Sequence, residues 1–255
     1  MPMKSKRLII ANWKMNPESP ESARAIFLAI RRAAEKLKKT EVVVCPPAIY
    51  FSTLAKLKTS KVLMGSQNLF WEQSGSYTGE MSAVMVQASG GEYAIIGHSE
   101  RRELGETSEM INKKVLASVS TDLGTILCIG EKERDSQGNY LALVKEQLSS
   151  ALAGIQKKSV SNLVIAYEPV WAIGKTEAMK GADMHEMMLY IKKILTDLLG
   201  LDYAKNIPVL YGGSVSPLNA EDIVVNGHVS GLLVGRQSLD PIQFKEILSI
   251  VDKIS

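Results

Sequence analysis

Three residues of this chain stand where an apolar run gives way to polar sequence, and each can hold charge or move a proton: Lys14 in IIANWKMN, His98 in AIIGHSERR and Glu168 in LVIAYEPVW. Glu168 precedes Pro169 and has Tyr167, Val170 and Trp171 as neighbours. Apolar surroundings disfavour an ionised carboxyl, which raises its pKa and makes it a better proton acceptor at neutral pH. His98 is one of only three histidines, and the SERR after it can open a helical turn. The N–H groups of such a turn favour a neutral imidazole, which can donate a hydrogen bond without carrying a permanent charge. Lys14, close to the Asn12 amide, could hold an anion. Each has a plainer reading on its own, as a surface lysine, a structural histidine or a salt-bridged carboxylate. Chemistry requires that the fold bring them together.

The elements that could do so are legible. Eight short runs rich in Val, Ile and Leu recur: RLIIAN (7 to 12), EVVVCP (41 to 46), VLMGSQ (62 to 67), YAIIGH (93 to 98), TILCIG (125 to 130), LVIAYE (163 to 168), PVLYGG (208 to 213) and GLLVGR (231 to 236). Between them, PESARAIFLAIRRAAEKL (20 to 37), NYLALVKEQLSSALAGI (139 to 155) and ADMHEMMLYIKKILTDLL (182 to 199) repeat apolar residues at helical spacing. Continuous apolar strands alternating with amphipathic helices imply a parallel sheet covered by helices. Eight such units within 255 residues predict a (β/α)8 barrel, the TIM barrel, as a single domain over residues 1 to 255. The polar residues then fall at the C-terminal strand ends: Asn12 and Lys14, Gln67 and Asn68, His98, Glu131, Glu168, Gly212 to Ser214, and Gly235 with Arg236. In a parallel barrel these ends share one mouth.

Glycine turns follow the last three strands: AIGK (172 to 175), YGGSV (211 to 215) and VGRQS (234 to 238). A single glycine is usually a turn requirement, but the loops after strands seven and eight of this fold commonly cradle phosphate through backbone N–H groups. Neither GxxxxGK[ST] nor GxGxxG occurs, so nucleotide binding is not indicated. The net charge of +3, from 30 basic and 27 acidic residues, gives little drive toward nucleic acid. The basic stretch RRAAEKLKK (31 to 39) reads as the solvated face of a helix. Cys45 and Cys128 lie in apolar runs with no metal-ligand spacing and read as buried free thiols. There is no secretory h-region or 18-residue apolar stretch, which predicts a cytoplasmic chain that does not span a membrane.

Across its length the sequence resembles the triosephosphate isomerases, through ANWKMN, CPPAIY, SQNLFWEQSGSYTGE, IIGHSERR, CIGE, AYEPVWAIG, YGGSV and LVGRQSL in family order. The resemblance implies that Glu168 is the base that carries a proton between adjacent carbons. It implies that His98 is the neutral donor to the enediolate oxygens. These roles, and closure of the loop after strand six, are carried over from the family, which is the standard worked case for them. It further implies that Lys14 and Asn12 bind substrate, with Lys14 offsetting charge. Gly174, Ser214, Gly235 and the backbone of Arg236 would grip phosphate, with Glu100 a polar neighbour. No metal or organic cofactor is required. The long aromatic loop Ser66 to Glu80 would insert into a second subunit, with Thr78 near the partner's Asn12 and Lys14, giving a homodimer.

Three departures stand out. After AIG the family usually reads TGKTA, where this chain reads KTEAM, which keeps the lid length but replaces its second glycine with Thr176 and its usual lysine-threonine hinge with Glu177 and Ala178. Between Arg102 and Gly105 there are Glu103 and Leu104, one residue fewer than is common. Many members have a second glycine after LVG, where this chain has Arg236. The expected reaction is interconversion of dihydroxyacetone phosphate and glyceraldehyde 3-phosphate in glycolysis and gluconeogenesis. A barrel isomerase for a larger phosphorylated ribosyl compound, and a silent phosphometabolite sensor, are the competing readings. The short lid and the intact Asn12, Lys14, His98 and Glu168 weigh against both.

Overall fold

Each apolar run splits by period two into residues that face inward and residues that face outward, and both sets are buried. The computed structural model, which describes residues 6–173 and 179–254, shows why. The strands are β1 (Arg7–Asn12), β2 (Thr40–Cys45), β3 (Val62–Ser66), β4 (Tyr93–Ile96), β5 (Gly124–Ile129), β6 (Leu163–Tyr167), β7 (Val209–Tyr211) and β8 (Gly231–Val234). They form a closed parallel barrel in sequence order. Leu8, Ile10, Val43, Cys45, Ile95, Ile126, Cys128, Val164, Ala166, Leu210 and Leu233 form one apolar cluster, which fills the lumen. Their strand neighbours, such as Ile9, Ala11, Val42, Val44, Leu127 and Ile165, belong to a second, larger cluster shared with the helices. Burial on both faces is the reason the runs are continuous rather than alternating.

The ring closes where β1 meets β8, with Leu8 opposite Gly231 and Ala11 opposite Val234. A side chain at residue 231 would not fit, because a Cβ there would lie 1.8 Å from the Leu8 carbonyl oxygen.

The covering helices are α1 (Pro20–Ala34), α2 (Ala48–Ala55), α3 (Ala83–Ala88), α4 (Ser99–Glu103), α5 (Ser108–Ser120), α6 (Asn139–Ala151), α7 (Gly181–Leu199), α8 (Leu201–Ala204), α9 (Ala220–Val225) and α10 (Pro241–Lys253). Their starts are written locally. Ser19 accepts the Ser22 N–H before Pro20, and Asp240 accepts those of Ile242 and Gln243 around Pro241. Beneath α5 lies a buried ion pair, Lys114 with Glu106, whose side chains are 2% and 1% exposed. Lys114 Nζ also donates to Asn68 Oδ1 at 2.7 Å, at the root of the loop from 66 to 80. Cys45 and Cys128 are both free and buried, and burial pushes the Cys45 thiol well above its ordinary pKa.

Candidate active site

The apolar runs carry their last polar residues just past the strands. β4 stops at Ile96 and β6 at Tyr167, so His98 and Glu168 sit at the rim, each held by backbone. Glu168 N donates to the Ile129 carbonyl at 2.7 Å, extending the β5–β6 pairing by one step. β5 can pass this close only because residue 130 is glycine: a Cβ there would lie 1.8 Å from the Glu168 carbonyl oxygen. His98 is the N-cap of α4, the short helix expected from SERR, and its Nδ1 accepts the Glu100 N–H at 3.2 Å.

The two side chains meet, His98 Nε2 lying 3.0 Å from Glu168 Oε1. Glu168 Oε2 accepts the Ser99 N–H at 3.0 Å. Both are buried, at 5% and 2% exposure. Burial raises the carboxyl's pKa as the sequence reading expects. The facing His98, the Ser99 N–H and the charge of Lys14 outweigh it, so in this arrangement Glu168 is held below the ordinary carboxylate value. Its direction is therefore opposite to the one read from its sequence neighbours. For His98, burial lowers the pKa, while the charge and hydrogen bond of Glu168 and the charge of Glu100 raise it further, for a net rise that Lys14 opposes. The Glu100 N–H keeps Nδ1 an acceptor, and a neutral ring with its proton on Nε2 satisfies both contacts.

Lys14 adopts a left-handed backbone, with φ of 53°. Such strain persists only where the surroundings impose it. Here Asn12 Oδ1 accepts the Lys14 N–H at 3.1 Å, and Gln67 Nε2 donates to the Lys14 carbonyl at 2.8 Å and to the Cys45 carbonyl at 2.9 Å. The ammonium is thereby aimed across the mouth, where it pairs with Glu100 at 2.6 Å.

Asn12, Lys14, His98, Glu168, Ser214, Gly235 and Arg236 all line one cavity of about 570 Å³. Gly174, the remaining expected phosphate contact, and residues 175 to 178 of the altered lid lie outside the described residues. The segment before them is a single 3₁₀ turn, Val170–Ala172, and Ile173 reaches the cavity.

Three supports had no role assigned from sequence. Glu131, fully buried, accepts from Tyr167 Oη at 2.7 Å, Trp171 Nε1 at 2.9 Å and Arg134 Nε at 3.0 Å, which pins the Pro169–Trp171 stretch. Asn219 closes the loop after β7, donating to the Ser214 carbonyl at 3.0 Å and accepting the Ser216 N–H at 2.8 Å. Tyr211 Oη accepts the N–H of Met179 at 3.3 Å, and Met179 is itself 2% exposed. Burial, partly offset by that bond, pushes the Tyr211 pKa up to about 12. The sequence signal for all three is only a polar or aromatic residue near a strand end.

A closed (β/α)8 barrel with a carboxylate against an imidazole at its C-terminal mouth is an enzyme scaffold arranged for proton transfer. The triosephosphate isomerase family model matches residues 7–251. The triosephosphate isomerase of Dictyoglomus thermophilum is 39% identical over 248 residues, covering 95% of this chain and 98% of that protein. That of Moorella thermoacetica is 40% identical over 246 residues, covering 95% and 97%. That of Caldanaerobacter subterraneus subsp. tengcongensis is 39% identical over 245 residues, covering 95% and 98%. The chain belongs to the triosephosphate isomerase family.

Proposed function

We propose that the protein interconverts dihydroxyacetone phosphate and D-glyceraldehyde 3-phosphate through an enediolate, in glycolysis and gluconeogenesis. The observation that carries this reading is the 3.0 Å approach of His98 Nε2 to Glu168 Oε1 within the cavity that Lys14 and Ser214 share. In this arrangement the base is quenched by two donors, His98 and the Ser99 N–H. Substrate must therefore draw Glu168 off them. Once it moves, the hydrogen bonds from His98 and the Ser99 N–H that lower its pKa fall away while burial still raises it against Lys14, so it becomes a stronger base, as the chemistry needs. His98 loses the carboxylate that raises its own pKa and keeps the Glu100 N–H, which favours the neutral ring.

Glu168 then removes a proton from the carbon beside the carbonyl and returns it to the neighbouring carbon. His98 Nε2–H donates to the oxygens that take up negative charge. Lys14 and Asn12 stabilise that charge, and backbone groups at Ser214, Gly235 and Arg236, with Gly174, hold the phosphate. Losing one donor of this kind typically costs ~10²- to 10³-fold in rate. A coupled assay without added metal tests the reading: turnover is expected, with a loss of at least ~10²-fold in Glu168→Ala. Absent turnover, or full activity in Glu168→Ala, would refute it.

The same reading makes the protein a cytoplasmic homodimer. Among the described residues, no helix is long and apolar enough to cross a membrane. Residues 72 to 80 of the loop Ser66 to Glu80 are exposed, and Phe70 stacks on Trp71 with ring centroids 4.0 Å apart and meets Tyr77 in a tilted contact at 4.6 Å. Met15 (93% exposed) and Ile49 (81%) follow β1 and β2 on the same side of the barrel. Large exposed apolar residues of this kind support a subunit interface. Thr78 would reach the partner's Asn12 and Lys14. Sedimentation at micromolar concentration should show no substantial monomer, and a fully active stable monomer would count against it.

A further inference from the structure

The cavity's charges are nearly self-cancelling. Among its described lining residues are two cations, Lys14 and Arg236, and two carboxylates, Glu100 and Glu168. Lys14 is engaged by Glu100 at 2.6 Å, and Glu168 by His98 at 3.0 Å. Arg236 enters none of the ion pairs found among the described residues and is exposed to solvent. It begins the 3₁₀ turn Arg236–Leu239, directly after Gly235. A Cβ on Gly235 would touch Lys14 Cε at 3.4 Å, so the turn lies along the stem of the other cation. The position is one at which many family members have glycine and therefore no side chain. Without this guanidinium the lining would carry a formal charge of about −1 against a substrate whose phosphate brings ~−1.5 to −2.

We infer that the side chain of Arg236 is a specificity-determining cation of this enzyme, which captures and orients the substrate's phosphate in addition to the backbone contacts of its loop. The inference rests on the isomerase reading for the identity of the ligand. A guanidinium presents a planar fork of donors that matches two phosphate oxygens, and its permanent charge survives at any working pH. At the rim it acts at long range as well, drawing the dianion toward a mouth that would otherwise repel it.

The test uses the dimer as it exists, with Arg236→Gln and Arg236→Lys, both of which keep the backbone N–H. Kinetics are compared for glyceraldehyde 3-phosphate and unphosphorylated D-glyceraldehyde. At ~10 mM ionic strength, where the Debye length is about 30 Å, Arg236→Gln should lower the ratio of the two kcat/KM values threefold to tenfold. It should weaken inhibition by inorganic phosphate by a similar factor. Both effects should shrink toward ~0.5 M salt, and Arg236→Lys should keep most of the long-range part. An unchanged ratio with unchanged phosphate inhibition would overturn the inference. So would an equal loss on both substrates, which would mark Arg236 as merely structural. If the wild-type enzyme turned over neither substrate, the isomerase reading would fail. Calorimetric titration of wild type and Arg236→Gln with inorganic phosphate would then still decide the guanidinium's role by the same threefold to tenfold criterion.

Discussion

Replacing Lys114 by methionine keeps the volume of the side chain and removes its charge, leaving the Glu106 carboxylate in a site where it is 1% exposed. Glu106 Oε2 has no hydrogen-bond partner even with Lys114 present, so nothing local can take over the charge. Breaking a buried pair from one side costs about 3–5 kcal/mol, because the remaining ion is left uncompensated. For a chain of this size each kcal/mol shifts Tm by about 2–4 °C, so Lys114→Met should unfold roughly 6–20 °C lower. Replacing both partners, as in Lys114→Met with Glu106→Leu, should recover most of that loss, since an apolar pair of similar volume is often as stable as a buried ion pair. The assay is thermal or urea unfolding of wild type, both single variants and the double variant at one protein concentration, because dimerisation contributes to apparent stability. Lys114 also grips Asn68 at the root of the projecting loop, so Lys114→Met, alone or in the double variant, should dissociate at higher concentration than wild type. Additive losses in the cycle, or a Tm within ~2 °C of wild type for Lys114→Met, would refute the argument.

Three other outcomes are expected. Asn219→Ala removes both bonds that close the loop carrying Ser214, at about 1 kcal/mol each, and should raise KM for glyceraldehyde 3-phosphate by up to about thirtyfold in steady-state kinetics while kcat changes little. Glu131→Gln replaces an acceptor oxygen with a donor amide facing Tyr167, Trp171 and Arg134; a loss of about 1.5–3 kcal/mol should appear as a Tm lowered by roughly 3–12 °C in calorimetry. Burial raises the pKa of Asp252, but the Lys38 and Lys39 N–H groups pull it below the ordinary value. A depressed folded pKa means stability present above the unfolded pKa and lost as pH falls through the folded one. The Tm gap between wild type and Asp252→Asn should thus be steady from ~pH 5 to 8 and close below ~4.

The barrel was readable because its signal is local. Every apolar run became a strand, with boundaries moved by a residue or two where Pro46 or a rim residue ends the pairing. The three helical patterns became α1, α6 and α7. His98 at the start of a helical turn was legible for the same reason, since SERR follows it directly. The direction of Glu168's pKa was not: it is decided by His98 and the Ser99 N–H, about 70 residues earlier in the chain, whereas its sequence neighbours are apolar. Glu131 and Trp171 are 40 residues apart, and Asn68 and Lys114 are 46, so no periodicity announces either contact. The exchange of TGKTA for KTEAM was visible, and at its one described position Met179 is buried against the core.

The seam between Leu8 and Gly231 gives the barrel an order in time. A sheet that closes on itself has no edge, but until β8 exists β1 has one, with unpaired N–H and C=O groups open to other chains. During synthesis at about 5–20 residues per second, the first strand waits roughly 10–50 s for its last neighbour. Truncation of the C-terminal unit therefore exposes the N-terminal strand, at the opposite end of the chain.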